Sequence, residues 1–218
     1  MKKIVIMVLF SLLCITGCSC DNNFNDNQII EIPVKQISND TSARTSPVNS
    51  TNLDYYMFRD DVQYVDLRSL EMITGEGYIA GFEFIPFYSI IASFSGENTL
   101  YKMKSVEVEG VSIPAGQPGS FIPQYEESNN VIKSLFSKDK YIFLVSQGGS
   151  ECSYVINLLI QLGYNGNLIY NVGGVMNSEG FASYSSIETN KYFVYGHGDL
   201  NLSVSYDFMN ELTPTSNN

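Results

Sequence analysis

The residues best suited to chemistry form one short loop and the helix start that follows it. They are Ser146, Gln147, Gly148, Gly149, Ser150, Glu151 and Cys152. A serine hydroxyl such as that of Ser146 is a weak nucleophile at neutral pH unless a base such as histidine lies beside it. The single histidine, His197, lies far along the chain and is predicted to be a turn residue. Ser146 is therefore not predicted to be a hydrolase nucleophile.

Cys152 is the alternative nucleophile, and two interpretations of it stay open. It falls in the first turn of a predicted helix, where the helix dipole favours a thiolate. The neighbouring charge of Glu151 works in the opposite direction and raises the pKa of the thiol. In the other interpretation, Cys152 is an inert small residue that packs under the loop.

The N-terminus carries a second chemically distinctive cysteine. A positive start, Met1-Lys2-Lys3, precedes the apolar residues 4–15, which are too few to span a bilayer. The sequence Ile15-Thr16-Gly17-Cys18 resembles the bacterial lipobox, and the resemblance implies cleavage before Cys18 and attachment of a diacylglycerol to it. Two acyl chains give a stable membrane anchor. The alternative is an ordinary secretory signal, in which Cys18 and Cys20 are incidental.

Composition excludes several classes of function. The net charge is −11, from 23 acidic and 12 basic side chains, so the protein is predicted not to bind nucleic acid. No polybasic patch is present to hold anionic lipids, which leaves a covalent anchor as the route to the membrane. One histidine and four cysteines without zinc spacing predict no metal site, and no cofactor is expected.

The folded part alternates strand and helix patterns. Strands are predicted at residues 63–67, 141–145 and 168–172, and the helical pattern of residues 154–162 ends at Gly163. The continuous apolar run at 141–145 is typical of a buried parallel strand. Strand, glycine loop, helix and strand form a βαβ unit. The fold class is therefore α/β, with a mostly parallel central sheet flanked by helices.

Several motifs, in order, resemble the rhodanese family of sulfurtransferases. Asp66-Leu67-Arg68 matches the family's D-[VL]-R, and Gly77-Tyr78-Ile79-Ala80-Gly81 matches its G-H-I-P-G, with tyrosine in place of histidine. Residues 143–174 resemble the family's active-site strand, loop, helix and the strand that ends in two glycines. The resemblance covers about residues 53–185 and implies a rhodanese-like fold in which Arg68 has a structural role.

The loop departs from the family at the positions that carry its chemistry. In active rhodaneses the loop has the sequence C-x-x-G-x-R, and its cysteine forms a persulfide. Here Ser146 stands at the cysteine position and Glu151 at the arginine position, whereas the glycine at the fourth place, Gly149, is kept. A serine cannot form a persulfide, and the carboxylate opposes an anionic sulfur donor. No residue is therefore assigned as catalytic.

The chain is predicted to divide into four parts. Residues 1–17 form a lipoprotein signal peptide, and residues 18–52 form the lipidated cysteine and a flexible, disordered tether rich in Asn, Asp, Ser and Thr. Residues 53–199 form the rhodanese-like domain, with an insertion at about 88–130 that is expected to form a hairpin over one edge of the domain. Within the insertion, residues 104–114 alternate like a strand and then turn. Residues 200–218 form a C-terminal tail, and its last residues, 213–218, are predicted to be disordered.

Three functional interpretations follow. The favoured one is a lipid-anchored binding module, held at the extracytoplasmic face of the membrane or in the periplasm through Cys18. It is silent in sulfur transfer and has a surface protein or a small anion as its partner. The second is a sulfurtransferase or thiol-redox enzyme that uses Cys152. The third is an unrelated α/β surface lipoprotein.

Overall fold

The structure is a computed structural model that describes residues 30–175, 191–195 and 207–215. Its strands are β1 (Val62–Asp66), β2 (Tyr78–Ile79), β3 (Glu83–Phe84), β4 (Ala92–Ser93), β5 (Tyr101–Met103), β6 (Ser105–Val108), β7 (Val111–Pro114), β8 (Phe121–Pro123), β9 (Tyr141–Ser146), β10 (Ile169–Gly174) and β11 (Phe193–Val194). The helices are α1 (Leu70–Glu76), α2 (Ser128–Leu135) and α3 (Ser150–Gln161). The predicted signal peptide, Cys18 and His197 lie outside the described residues.

The central sheet has four parallel strands in the order β10-β9-β1-β3. The three predicted strands are confirmed to within two residues, and β9, α3 and β10 form the predicted βαβ unit. Helix α3 ends as predicted, with Gly163 at a φ of 81° directly after its last turn. The α/β class with a parallel sheet is therefore confirmed.

The central strand β9 contributes to two hydrophobic cores because successive side chains of a strand point to opposite faces. Ile142 and Leu144 lie in the first core, and Phe143 and Val145 lie in the second. Helix α3 covers the first face with the buried side chains Val155, Ile156, Leu158 and Leu159. A parallel sheet has to be covered on both faces, so the second face also requires a cover.

Residues 30–56 supply part of that second cover. The core on this face includes the buried side chains Ile32, Val48, Leu53 and Tyr56, beside Phe143. We call this segment the N-terminal cover. The prediction of a disordered tether extending to residue 52 is therefore wrong for residues 30–52. Few apolar residues are enough here because Ile32 and Val48 are buried in that core, although Val34 and Ile37 stay exposed. Local composition does not show which of them will be buried.

A buried lysine fastens the N-terminal cover to the domain. The Lys35 ammonium donates hydrogen bonds to the carbonyl oxygens of Gly166 and Ile169, each at 3.1 Å, and to the carbonyl of Asp40 within the cover. Burial lowers the pKa of Lys35, and the nearby charge of Asp40 opposes that shift. The three carbonyl acceptors explain why a cation is tolerated in this position.

The C-terminal segment is also docked on the domain. Pro214 forms an isolated bridge with Tyr125, and the Thr213 amide donates to a carboxylate oxygen of Glu127 at 2.9 Å. Met209 and Leu212 pack against the first core. The prediction of disorder is therefore wrong for residues 213–215, because backbone pairing and one carboxylate hold them in place.

The segment predicted as an insertion, residues 88–130, has two parts. The first part consists of the residues on either side of the hairpin and contributes Leu100, Tyr101 and Phe121 to the core. The segment is therefore more than a loop over one edge of the domain. The second part is a hairpin of β6 and β7 joined by a two-residue turn, and both strands lie within residues 104–114, where the sequence pattern indicates a single strand followed by a turn. Both turn residues, Glu109 and Gly110, have positive φ, as a type I′ turn requires.

We expect replacement of Lys35 by methionine to destabilise the domain. Lys35→Met removes the charge-assisted hydrogen bonds to three carbonyl oxygens, which costs about 1–3 kcal/mol. Chemical denaturation of the full chain measures the change in the free energy of unfolding. Lys133→Met, at an exposed position of α2, is the matched control and should change it little. Equal losses in the two variants would contradict the assigned role of Lys35.

Candidate functional site

The loop occupies the carboxyl end of strand β9, in the interior of the parallel sheet. Ser146 is the last residue of β9, Ser150 is the first of α3, and Gly149 precedes the helix with a φ of 88°. The Gly149 amide donates to the Ser146 hydroxyl at 2.8 Å. This bond closes the loop upon the serine side chain, and Ser146 has no exposed surface. Ser146, which stands at the position of the family's nucleophilic cysteine, is therefore inaccessible to solvent in this structure.

Cys152 lies under the loop and is equally buried, with no exposed surface. Burial raises the pKa of its thiol well above the ordinary value, and the charges of Glu151 and Asp66 raise it further. A hydrogen bond with the Ser146 side chain acts in the opposite direction. The predicted effect of Glu151 is therefore confirmed. Since burial is the largest cause, the geometry corresponds to the shielded-thiol interpretation.

A buried asparagine, which sequence reasoning missed, ties the loop to the N-terminal cover. The Asn171 side-chain amide donates to the carbonyl oxygens of Gly149 at 2.9 Å and Thr41 at 2.7 Å. The Ser153 hydroxyl donates to the same Thr41 carbonyl at 2.8 Å. The available signal was Asn171 itself, the polar residue within the apolar strand pattern of residues 168–172.

Space around the loop is also limited by the cover. A side chain on Gly149 would place its Cβ 3.4 Å from the Cβ of Ala43 and 3.3 Å from Oδ1 of Asn171. The positive φ of Gly149 adds backbone strain to any such substitution. Glycine at the fourth loop position is therefore required by both conformation and contact.

Arg68 has the structural role expected of it. Its guanidinium pairs with the Asp66 carboxylate at 2.7 Å, and both side chains are fully buried. The same guanidinium donates to the carbonyl oxygen of Gly77 at 2.7 Å. Glu76 lies 3.5 Å from its other terminal nitrogen. The buried pair thereby links the end of β1 to the turn that follows α1.

A small cavity of about 70 Å³ opens beside the loop. Its lining includes Arg68, Met72, Tyr88, Ser89, Gln147 and Glu151. Neither Ser146 nor Cys152 lines it. Of the predicted loop residues, the structure therefore brings Gln147 and Glu151 to the cavity and places the two candidate nucleophiles beneath the surface.

Comparisons with protein-family models, with curated proteins and with solved structures found no match. The class that the structure itself establishes is an α/β protein with a four-stranded parallel sheet. Among the described residues, no helix is both long enough and apolar enough to cross a bilayer.

We expect the Cys152 thiol to be inert in the folded protein. Iodoacetamide reacts with thiolates, and both burial and the raised pKa remove the thiolate at neutral pH. Mass spectrometry of peptides after a timed reaction resolves Cys152 from the other three cysteines. Protein unfolded in urea is the control and should be modified rapidly. Equally rapid modification of the folded protein would contradict the assignment.

The same pKa shift predicts a loss of stability in alkaline solution. The thiol of the unfolded chain ionises near pH 8.5, whereas folded Cys152 keeps its proton to higher pH. The contribution of the protonated Cys152 thiol to the free energy of unfolding is therefore fully present below about pH 8.5. It is lost as the pH rises towards the pKa of the folded state. Denaturation curves between neutral and alkaline pH measure this slope. Cys152→Ala should have a shallower slope, and an unchanged slope would contradict the prediction.

Proposed function

We propose that the chain is an extracytoplasmic, lipid-anchored binding module with a rhodanese-like domain that is silent in sulfur transfer. One observation carries the proposal: Ser146 and Cys152, the two nucleophile candidates, have no exposed surface. A sulfur donor has to reach the nucleophilic atom, and neither atom borders the cavity beside the loop. The cavity remains available for binding.

The order of the elements supports the rhodanese-like part of the proposal. The Asp66 and Arg68 pair follows β1, and the loop lies between β9 and α3 at the carboxyl end of the sheet. Ligand sites of open parallel α/β sheets lie outside this end. Gly149 keeps the positive φ that the loop shape needs. The chain thus retains a loop scaffold while its chemical groups differ.

The anchoring part of the proposal depends on Cys18 and its position. Fourteen residue steps separate Cys18 from Ile32, the first buried apolar residue of the N-terminal cover. A fully extended chain of that length spans at most about 50 Å. Lipidation of Cys18 would therefore hold the domain close to the membrane surface.

We expect the full chain, purified in mild detergent, to give no turnover when sulfur transfer from thiosulfate to cyanide is assayed. The natural protein lacks an accessible nucleophile, and Cys152→Ser should behave identically. The double variant Ser146→Cys, Glu151→Arg supplies the two loop groups of active rhodaneses but leaves position 146 buried, so it should also be inactive. Activity of the natural chain that disappears in Cys152→Ser would overturn the proposal. Turnover in the double variant would show that residue type, and not burial, silences the loop.

We expect Cys18 to carry the lipid. In bacteria that export the full chain, a palmitate analogue should label the natural protein and partition it into the detergent phase. Cys18→Ala should lose both properties because the acylated thiol is gone. Cys20→Ala, two residues away, is the matched control and should keep them. Labelling that survives in Cys18→Ala would exclude the proposed anchor.

A further inference from the structure

We infer that the cavity beside the loop binds the ammonium end of an aliphatic amine, as at the tip of a lysine side chain on a partner peptide. The inference rests on the proposed binding function and names the chemistry of its ligand. Four features of the cavity carry it: its charge, its unpartnered oxygens, its apolar and aromatic wall, and its size.

The charge around the cavity is negative. Arg68 is the cation of its lining, and its charge is already matched by Asp66 at 2.7 Å and approached by Glu76 at 3.5 Å. Glu151 lines the same cavity, and no ion pair with it occurs among the described residues. Of these three carboxylates only that of Glu151 lines the cavity, and it is the one that is not paired with Arg68. A cation entering the cavity would offset its charge.

Two oxygen acceptors on residues that line the cavity lack a donor. Gln147 Oε1 and Glu151 Oε2 are buried and have no hydrogen-bond partner within the part of the chain that the structure describes. Arg68 Nη1 and Glu76 Oε2 also lack a hydrogen bond, but these two atoms form an ion pair with each other at 3.5 Å. Leaving a buried polar atom unpaired costs free energy, which a bound donor can recover. An alkylammonium group brings three N–H donors and no acceptor. These N–H donors can pair with the two oxygens. Ser69 and Ser89, whose hydroxyls are further possible acceptors, also line the cavity.

The rest of the wall fits an aliphatic stem. Met72 and Tyr88 line the cavity and are partly exposed, and the Tyr88 ring meets Phe87 edge-on at 5.0 Å. After burial, the charge of Glu151 is the next cause that raises the pKa of Tyr88, so carboxylate and ring lie close together. An aromatic face beside a carboxylate is a favourable surrounding for an organic cation.

The size of the cavity selects the end of a side chain and not a large molecule. A cavity of about 70 Å³ is larger than the roughly 10–15 Å³ that one water needs and far smaller than the roughly 300–1,000 Å³ of pockets that hold whole small molecules. The terminal carbon and nitrogen of an alkylamine fill that space, and the remaining carbons extend along the wall outside it.

An anion is disfavoured at the same place. The N-terminus of α3 attracts negative charge, but the Glu151 carboxylate already stands in its first turn. A second anion would meet that carboxylate, and the Arg68 guanidinium on the same lining is already paired with Asp66 and lies 3.5 Å from Glu76. The small-anion partner expected from the loop scaffold is therefore replaced here by a cationic one.

The test compares n-butylammonium with n-butyrate, probes of similar length and opposite charge. Each is titrated into the full chain in nonionic detergent, and the dissociation constant is obtained from changes in protein NMR signals. We expect saturable binding of butylammonium and none of butyrate. Glu151→Gln should weaken butylammonium by about tenfold or more, the effect of losing one charge-assisted hydrogen bond. Glu97→Gln, at an exposed turn, is the control and should leave its affinity unchanged.

A charge reversal completes the test. Glu151→Arg should abolish butylammonium binding and admit butyrate. Equal binding of the two probes to the natural chain, or affinity unchanged in Glu151→Gln, would overturn the inference. The sulfur-transfer assay is independent of this measurement. Sulfur transfer by the natural chain would contradict the proposed silent function, even if the amine binds. A chain that is inactive in sulfur transfer and does not bind butylammonium would contradict only the inference of an amine site.

Discussion

The requirement that a parallel sheet be covered on both faces organises this protein. Strand β9 sends Ile142 and Leu144 to one core and Phe143 and Val145 to the other, so neither face can be left to solvent. Helix α3 closes the first face. The second depends on the N-terminal cover, a segment with little regular structure whose few buried apolar side chains insert against the sheet. Lys35 then fastens that segment by donating to carbonyls at the start of β10 and just before it.

The same cover determines the state of the loop. Thr41 lies where Asn171 and Ser153 both reach its carbonyl oxygen, and Asn171 in turn holds the carbonyl of Gly149. The loop is thus braced from the sheet, from α3 and from the N-terminal side. With the Ser146 hydroxyl engaged by the Gly149 amide, the braced loop closes over its own side chains. Burial, together with the change of residue type, separates this site from a reactive one.

What the loop leaves accessible is its edge. Gln147 and Glu151 border a small cavity whose other wall comes from the residues after β1 and from the π-helical turn at Phe87–Ile91. The Arg68 pair with Asp66 stiffens that wall. The cavity therefore combines a rigid frame with the Glu151 carboxylate, on which the inferred binding of an amine depends.

The sequence by itself determined the α/β class, the βαβ unit and the end of α3 at Gly163. These follow from local periodicity and from glycine conformation. Only the tertiary structure decided that residues 30–52 cover the sheet, that residues 213–215 dock, and that the 88–130 segment contributes to the core. It also decided that Asn171 braces the loop and that Glu151 faces a cavity. These depend on contacts between residues far apart in the chain, such as Thr41 with Asn171, and no local pattern encodes which distant surface will receive a side chain.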